Sequence, residues 1–343
     1  MVNLTVNTIL LFLSLSFITF SITGYGGLFV KIFFFKKKKY INNSYLAIFG
    51  LTFLVFVSYC SNLFFSHSES FNFFIHLVGF FYFIFFLKLK KKIELTKTIF
   101  LLIIIYFSFI LVSKNHDDFF YYHLSSTLNL VDNKLQFGLG NLKLGYRHHS
   151  SIMHLMSLTY LPIIKFYLVN SINFVALIFT SLILFENLKR NSSRNYIVTF
   201  FSLFFLILIN IKFKRLSEYG TDIAAQLFLI ILFLNFLKFL LEKKNDESRL
   251  FIISTILILI LSLKVSYTFY GFFIFLILII YEKEKLTNFI ISNKKFIIFS
   301  IFFLLIFLFQ NFANNGCFLY PISQTCFFYD FDWTLKEKEI NEM

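Results

Sequence analysis

Apolar runs without a polar face set the strongest limit on what this chain can fold into. Phe200–Ile209 and Phe296–Phe309 carry no charged residue and present no polar side at any helical register. Helices of that kind are surrounded by lipid or by other helices. In hydrocarbon each backbone polar group needs a partner within the protein, so such runs must be helical. The pattern predicts ten spans, near Thr8–Val30, Tyr45–Phe64, Phe73–Leu87, Ile99–Ser113, Phe166–Phe185, Tyr196–Ile211, Ile223–Leu241, Leu250–Leu263, Val265–Tyr281 and Phe296–Phe312. Residues 250–281 carry no charge except Lys264, and two short spans turning at Lys264–Ser266 keep Arg249 and Lys283 on one side. The expected fold is an all-α polytopic transmembrane helix bundle of about ten spans, seated in a lipid bilayer.

A formal net charge of +14 would suggest nucleic acid in a soluble protein. Here the basic residues flank apolar runs, where the positive-inside rule places them, and nucleic acid is excluded as a partner. The loops Lys36–Lys39, Lys88–Lys97, Lys189–Arg194, Lys243–Arg249 and Lys283–Lys295 together hold 19 basic residues, against 10 in the alternate loops and the tail. The first set is expected in the cytoplasm and both termini outside. No basic residue precedes Lys31, so the N-terminus does not read as an ordinary signal peptide.

The segment Lys114–Leu161 departs from the rest. The chain is dominated by Phe (56 residues) and other residues of AT-rich codons, with only 11 Gly and 7 His. Yet this one segment holds His116, His123, His148, His149 and His154, together with Gly138, Gly140, Gly145, Arg147 and the pair Asp117–Asp118. Long outer loops in compact proteins are often functional. Helical spacing puts Asp118 with Tyr122 and Asp117 with Tyr121 on shared faces. A carboxylate there can act as general base or hold a divalent cation; the plainer reading is an interfacial Tyr belt beside two solvated acids. Ser150 is the expected N-cap of an interfacial helix over Ser150–Leu161, broken at Pro162. Arg147, Ser151 and His154 share one face of it if the helix starts early, and Arg147, His148 and His149 beside a helix start suit a phosphate. The spacing is not His-Glu-x-x-His and no Cys is near, so a zinc site is not expected there.

Two further features stand on the same side. Lys264, followed by Ser266 and Tyr267, lies at a span end without neighbouring charges, while Lys212, Lys214, Arg215, Glu218 and Asp222 form another outer cluster. Snorkelling is the ordinary explanation for such lysines. In the tail, Cys317 and Cys326 flank Pro321, which favours a turn, and an oxidising compartment predicts a disulfide between them.

Asp117-Asp118-x-x-Tyr121-Tyr122, placed just after a span, resembles the first outer loop of the GT-C membrane glycosyltransferases, which include protein mannosyltransferases and aminoarabinose transferases. Tyr122-His123-Leu, Gly138-Leu-Gly140-Asn-Leu, His148-His149, and then Tyr320-Pro321 and Trp333, are similar to an uncharacterised group of bacterial multi-span proteins. The resemblance is clearest over residues 114–154. It implies a three-span segment over 1–97, a GT-C-like core over 98–312 with its outer loop at 114–161, and an outer polar tail over 313–343. It further implies a bacterial inner-membrane enzyme taking sugar from a polyprenyl-phosphate donor. Asp117 or Asp118 would be catalytic, and Tyr122, His123, Arg147, His148, His149 and Lys264 would bind substrate. Ending at Met343, the chain lacks the soluble domain or further spans of many such enzymes, as a short or incomplete form would. A polysaccharide polymerase or ligase, and a transporter or flippase, are the rival readings; mid-span charge would favour transport.

Overall fold

The structure, a computed structural model, describes residues 2–34, 41–90, 93–112, 115–191, 195–242, 247–327, 331–337 and 340. Of the basic residues counted above, Lys36–Lys39, Lys91, Lys92, Lys114, Arg194, Lys243, Lys244 and Lys338 lie outside the described residues. The chain is all-helical. Its α-helices in order are α1 (Val2–Phe33), α2 (Leu46–Asn62), α3 (Glu69–Lys90), α4 (Ile93–Leu111), α5 (Leu124–Asp132), α6 (Ser151–Leu158), α7 (Ser171–Asn191), α8 (Tyr196–Lys212), α9 (Asp222–Glu242), α10 (Glu247–Leu263), α11 (Phe272–Ile280), α12 (Lys283–Ser292) and α13 (Lys294–Asn315).

Among the described residues seven segments are long and apolar enough to cross a membrane: those of α1, α2, α3, α4, α7, α9 and α13. An eighth is added if Val265–Ile280 and α12, bent by 116°, are taken as one span. The three remaining predicted spans fall on α8, α10 and α11. Helices α8 and α10 have 17 residues each, roughly 25 Å of helix. Helix α10 is buried along nearly its whole length, so its neighbours are other helices. The expected break at Lys264 is present: its backbone is extended (φ −161°, ψ 143°), and a 3-10 helix runs over Val265–Gly271 before α11.

Hydrogen bonds sort the helix ends into two groups. At one end Asn42 donates to Glu186, Ser44 Oγ donates to the same carboxylate at 3.2 Å, and Lys238 reaches Asn187. Arg249 donates to the Lys238 carbonyl at 2.9 Å, and the Phe251 and Phe296 rings, 4.5 Å apart, join the starts of α10 and α13. At the other end the Leu135 amide reaches the Asn62 carbonyl (2.8 Å), the His116 amide that of Ser217 (2.9 Å), and the Gly138 amide that of Ala313 (2.8 Å). Lys165 pairs there with Glu69 at 3.2 Å. Among the described residues, helix ends flanking four of the five lysine-rich connections thus meet at one end, and the histidine-rich segment lies at the other.

The first two helices touch backbone to backbone. A Cβ added at Gly50 of α2 would stand 1.9 Å from the Ile22 carbonyl oxygen of α1, and one at Gly26 of α1 would stand 1.8 Å from that of Leu46. Small residues permit such approach where apolar contact alone gives helices no preference over lipid.

The helix after the histidine pair differs from expectation. Helix α6 starts where predicted, with Ser150 capping the Ile152 amide, but all eight of its residues are buried. An interfacial helix would keep one face toward lipid and one toward water; α6 is instead enclosed by the bundle. Its Ser58 neighbour on α2 donates to the His154 carbonyl at 3.2 Å. After Pro162 the chain reverses through two residues in the left-handed region, Ile163 (φ 72°) and Lys165 (φ 50°).

Candidate functional site

The histidine-rich end contains an open cavity of about 420 Å³. Its walls are Lys264–Ser266 with Thr268 and Phe269, the pair His148–His149, and Tyr320–Ile322. Each wall is held from behind. Ser150 Oγ donates to the Leu263 carbonyl, and Ser151 and Ser262 hydroxyls are 3.0 Å apart, which ties the histidine pair to the end of α10. Asn315 Nδ2 donates to the Arg147 carbonyl at 2.9 Å, joining that loop to the end of α13. Gly316, in the left-handed region at φ 81°, turns the chain out of α13 and into the third wall.

That third wall is a covalent loop. Cys317 and Cys326 are joined by a disulfide, and Tyr320–Ile322 lie between them. Thiol labelling of unreduced protein is expected to find only the half-buried Cys60, with two more sites after reduction. Three reactive thiols before reduction would show the bond is absent. By the loop-entropy model such a short ring stabilises by about 2.5–3 kcal/mol.

Charge is concentrated at the rim beside Lys264. Lys264 Nζ lies 3.2 Å from Asp222 Oδ1 at the start of α9. Next to them is the π-helical turn Phe119–His123. Burial, and then the Asp118 and Asp222 carboxylates, push the Tyr122 hydroxyl up to about 12. Burial, reinforced by His116 and Lys264 and opposed by Asp118 and Asp222, brings His123 down to about 4. His148 is also lowered, by burial and then by Lys264 and Arg147. Both shifts favour the neutral imidazole at His123 and His148.

The acidic pair is divided. Asp117 is exposed, whereas Asp118 is half-exposed, lies 3.7 Å from His116 Nδ1, and has its amide bonded to that nitrogen at 3.1 Å. Tyr121 is exposed beneath Lys143, whose Nζ is 5.3 Å from its ring centre. Tyr122 instead fits against Gly145: a Cβ there would be 2.6 Å from the ring. Arg147 does not share a helical face with Ser151 and His154, because the helix starts only at Ser151. It ends a 3-10 turn, with Nε donating to the Gly140 carbonyl at 3.2 Å. His149 turns inward, 5.7 Å ring to ring from Tyr59, and burial lowers it to about 4.

Asp222 is the residue that linear reading undervalued. It stood in an outer cluster, but nothing in the spacing pairs it with Lys264, 42 positions away. Tyr59, His67 and Tyr320 were likewise out of reach, since each meets the histidine segment only through the fold. Among the described residues no group of three or more His, Cys, Asp and Glu side chains is arranged to hold a metal ion.

Comparison with known proteins gives one match. Residues 9–343 fit a family model described as Domain of unknown function (DUF8201). No curated protein and no solved structure matches the chain.

Proposed function

Because the chain belongs to the DUF8201 family, whose domain is of unknown function, its role has to come from the chemistry of this site, and we propose that it is a membrane transferase moving a sugar from a polyprenyl-phosphate donor to an acceptor hydroxyl. The observation that carries this reading is the Lys264 cavity. It is one largely apolar cleft with the Lys264 ammonium group in its lining and the Asp222 carboxylate beside that group. Apolar walls suit a lipid-linked ligand, and fixed positive charge stabilises a departing phosphate most where water is excluded. In this reading Asp118 accepts the proton of the acceptor hydroxyl as it attacks the sugar. The resemblance of Asp117–Tyr122 to the acidic loop of GT-C enzymes supports the same reading.

Transport finds less support. Lys165, Lys238 and Glu186 lie at helix ends with partners there, rather than in the middle of a span. A polymerase or ligase would use the same rim and differs only in its acceptor.

In this reading the cavity opens on the outer face of a bacterial inner membrane, with the lysine-rich end in the cytoplasm. Reporter fusions after residues 68 and 140 are then expected to be active outside, and fusions after 92 and 190 inactive. The inverted pattern would refute the orientation.

The function is tested with membranes containing the protein and a panel of radiolabelled polyprenyl-phosphate sugars. Transfer from at least one donor is expected. Lys264→Gln should lower it at least tenfold at normal protein abundance, and Lys264→Arg should restore part of it. No transfer from any donor, or full transfer by Lys264→Gln, overturns the proposal.

A further inference from the structure

Behind His148 and His149 lies a second, smaller cavity of about 40 Å³, and those two residues line both. Ser126, Asn129, Tyr146, Met153, His154 and Asn314 contribute to its remaining walls. The volume suits about three groups the size of a hydroxyl. Among the described residues its lining contains no Lys, Arg, Asp or Glu. What it offers are amides, hydroxyls and imidazoles.

His154 gives the chamber an unmet demand. The residue is 2% exposed, on the enclosed helix α6, and its Nδ1 has no hydrogen-bond partner. The Tyr59 and His149 rings stand edge-on to it, at 4.7 and 5.2 Å between centres. Burial, with His149 and His67 adding to it, holds His154 well below the usual histidine range, so the ring is neutral. A neutral imidazole donates from one nitrogen and accepts at the other, and a buried polar atom left unpaired costs its desolvation. A hydroxyl, both donor and acceptor, satisfies Nδ1 whichever tautomer the ring adopts.

We infer that the inner chamber binds the hydroxyl edge of an uncharged sugar whose ring occupies the outer cavity and whose phosphate lies at Lys264. The inference rests on the proposed function and narrows it: the donor is a phosphate ester of a neutral sugar, not of a uronic acid or an amino sugar. A carboxylate or ammonium group entering the chamber would be buried without an opposite charge, which is far costlier than burying a hydroxyl. Charge is met at the outer rim and hydroxyls are met inside, so the two cavities divide one ligand between them.

The test is calorimetric titration of the whole protein in lipid nanodiscs. The probes are inorganic phosphate, the 1-phosphates of glucose, galactose and mannose, glucuronic acid 1-phosphate and glucosamine 1-phosphate. At least one neutral hexose phosphate is expected to bind tenfold or more tightly than inorganic phosphate and than both charged sugars. His154→Phe removes the orphan nitrogen, and Ser126→Val fills the chamber from its half-buried side. Either variant should abolish that tenfold advantage while leaving affinity for inorganic phosphate unchanged. Ser126→Val keeps the test decisive should His154→Phe fail to fold. Equal binding of neutral and charged sugars, or an advantage that survives Ser126→Val, overturns the inference. If inorganic phosphate binds and no hexose adds to it, the chamber assignment alone fails. If no phosphate compound binds at all, the transferase reading falls with it.

Discussion

Asp118→Asn is expected to lower sugar transfer by roughly 10²–10⁴-fold, about 3–5 kcal/mol in barrier, at normal membrane abundance. Asp117→Asn should stay within about threefold of the parent, since a solvated surface charge contributes little. The contrast follows from placement. Asp117 is exposed, whereas Asp118 is held beside His116 and acts electrostatically on Tyr122 and His123, which also feel Asp222. Losing Asp118 therefore removes a carboxylate that acts on the turn Phe119–His123. Transfer assays and immunoblots on the same membranes decide the matter. An Asp118→Asn protein that accumulates and transfers at the parent rate would show that this carboxylate takes no part in the chemistry. A large loss in Asp117→Asn alone would assign the role to its neighbour.

Gly50→Val should be the most damaging of the substitutions away from the site. The carbonyl oxygen 1.9 Å from the added Cβ belongs to backbone, which cannot swing aside as a side chain can. Accommodating the new group means moving α1 and α2 apart, at a cost of about 3 kcal/mol. The expected readout is a lower thermal midpoint in detergent and reduced recovery of folded protein. Gly271→Ala serves as the control, because its nearest non-local atom is 4.0 Å from the added Cβ, and its effect should be within about 0.5 kcal/mol. Identical melting of Gly50→Val and parent would mean that the two backbones do not meet as described.

Local signals were the legible ones. The apolar runs gave the helices, the uncharged stretch around Lys264 gave the break after α10, and Ser150 gave the start of α6. The charge pattern also matched the grouping of helix ends. Less of the site could be read, for a physical reason. Composition drew attention to residues 114–161, but Lys264 meets Asp222, and His149 meets Tyr59, across 42 and 90 positions respectively. Such meetings depend on how helices pack, and no periodicity encodes them. The environment of α6 was misread for a related reason. A short run such as Ile152–Leu158, holding both Met and His, reads alike at a lipid surface and inside a bundle; only its neighbours decide.

The disulfide loop introduces an element of timing. Tyr320–Ile322 complete the cavity and are closed off by Cys317–Cys326, near the end of the chain. Thiols join in the oxidising space beyond the membrane and stay apart in the reducing cytoplasm. With the proposed orientation, a chain still being inserted has its helices and acidic loop before it has this wall. Closure of this wall would then follow insertion of the helices that precede it, and be reached only by molecules whose Cys317–Cys326 segment has been exported. A half-inserted protein would have an incomplete cavity, without any separate inhibitor.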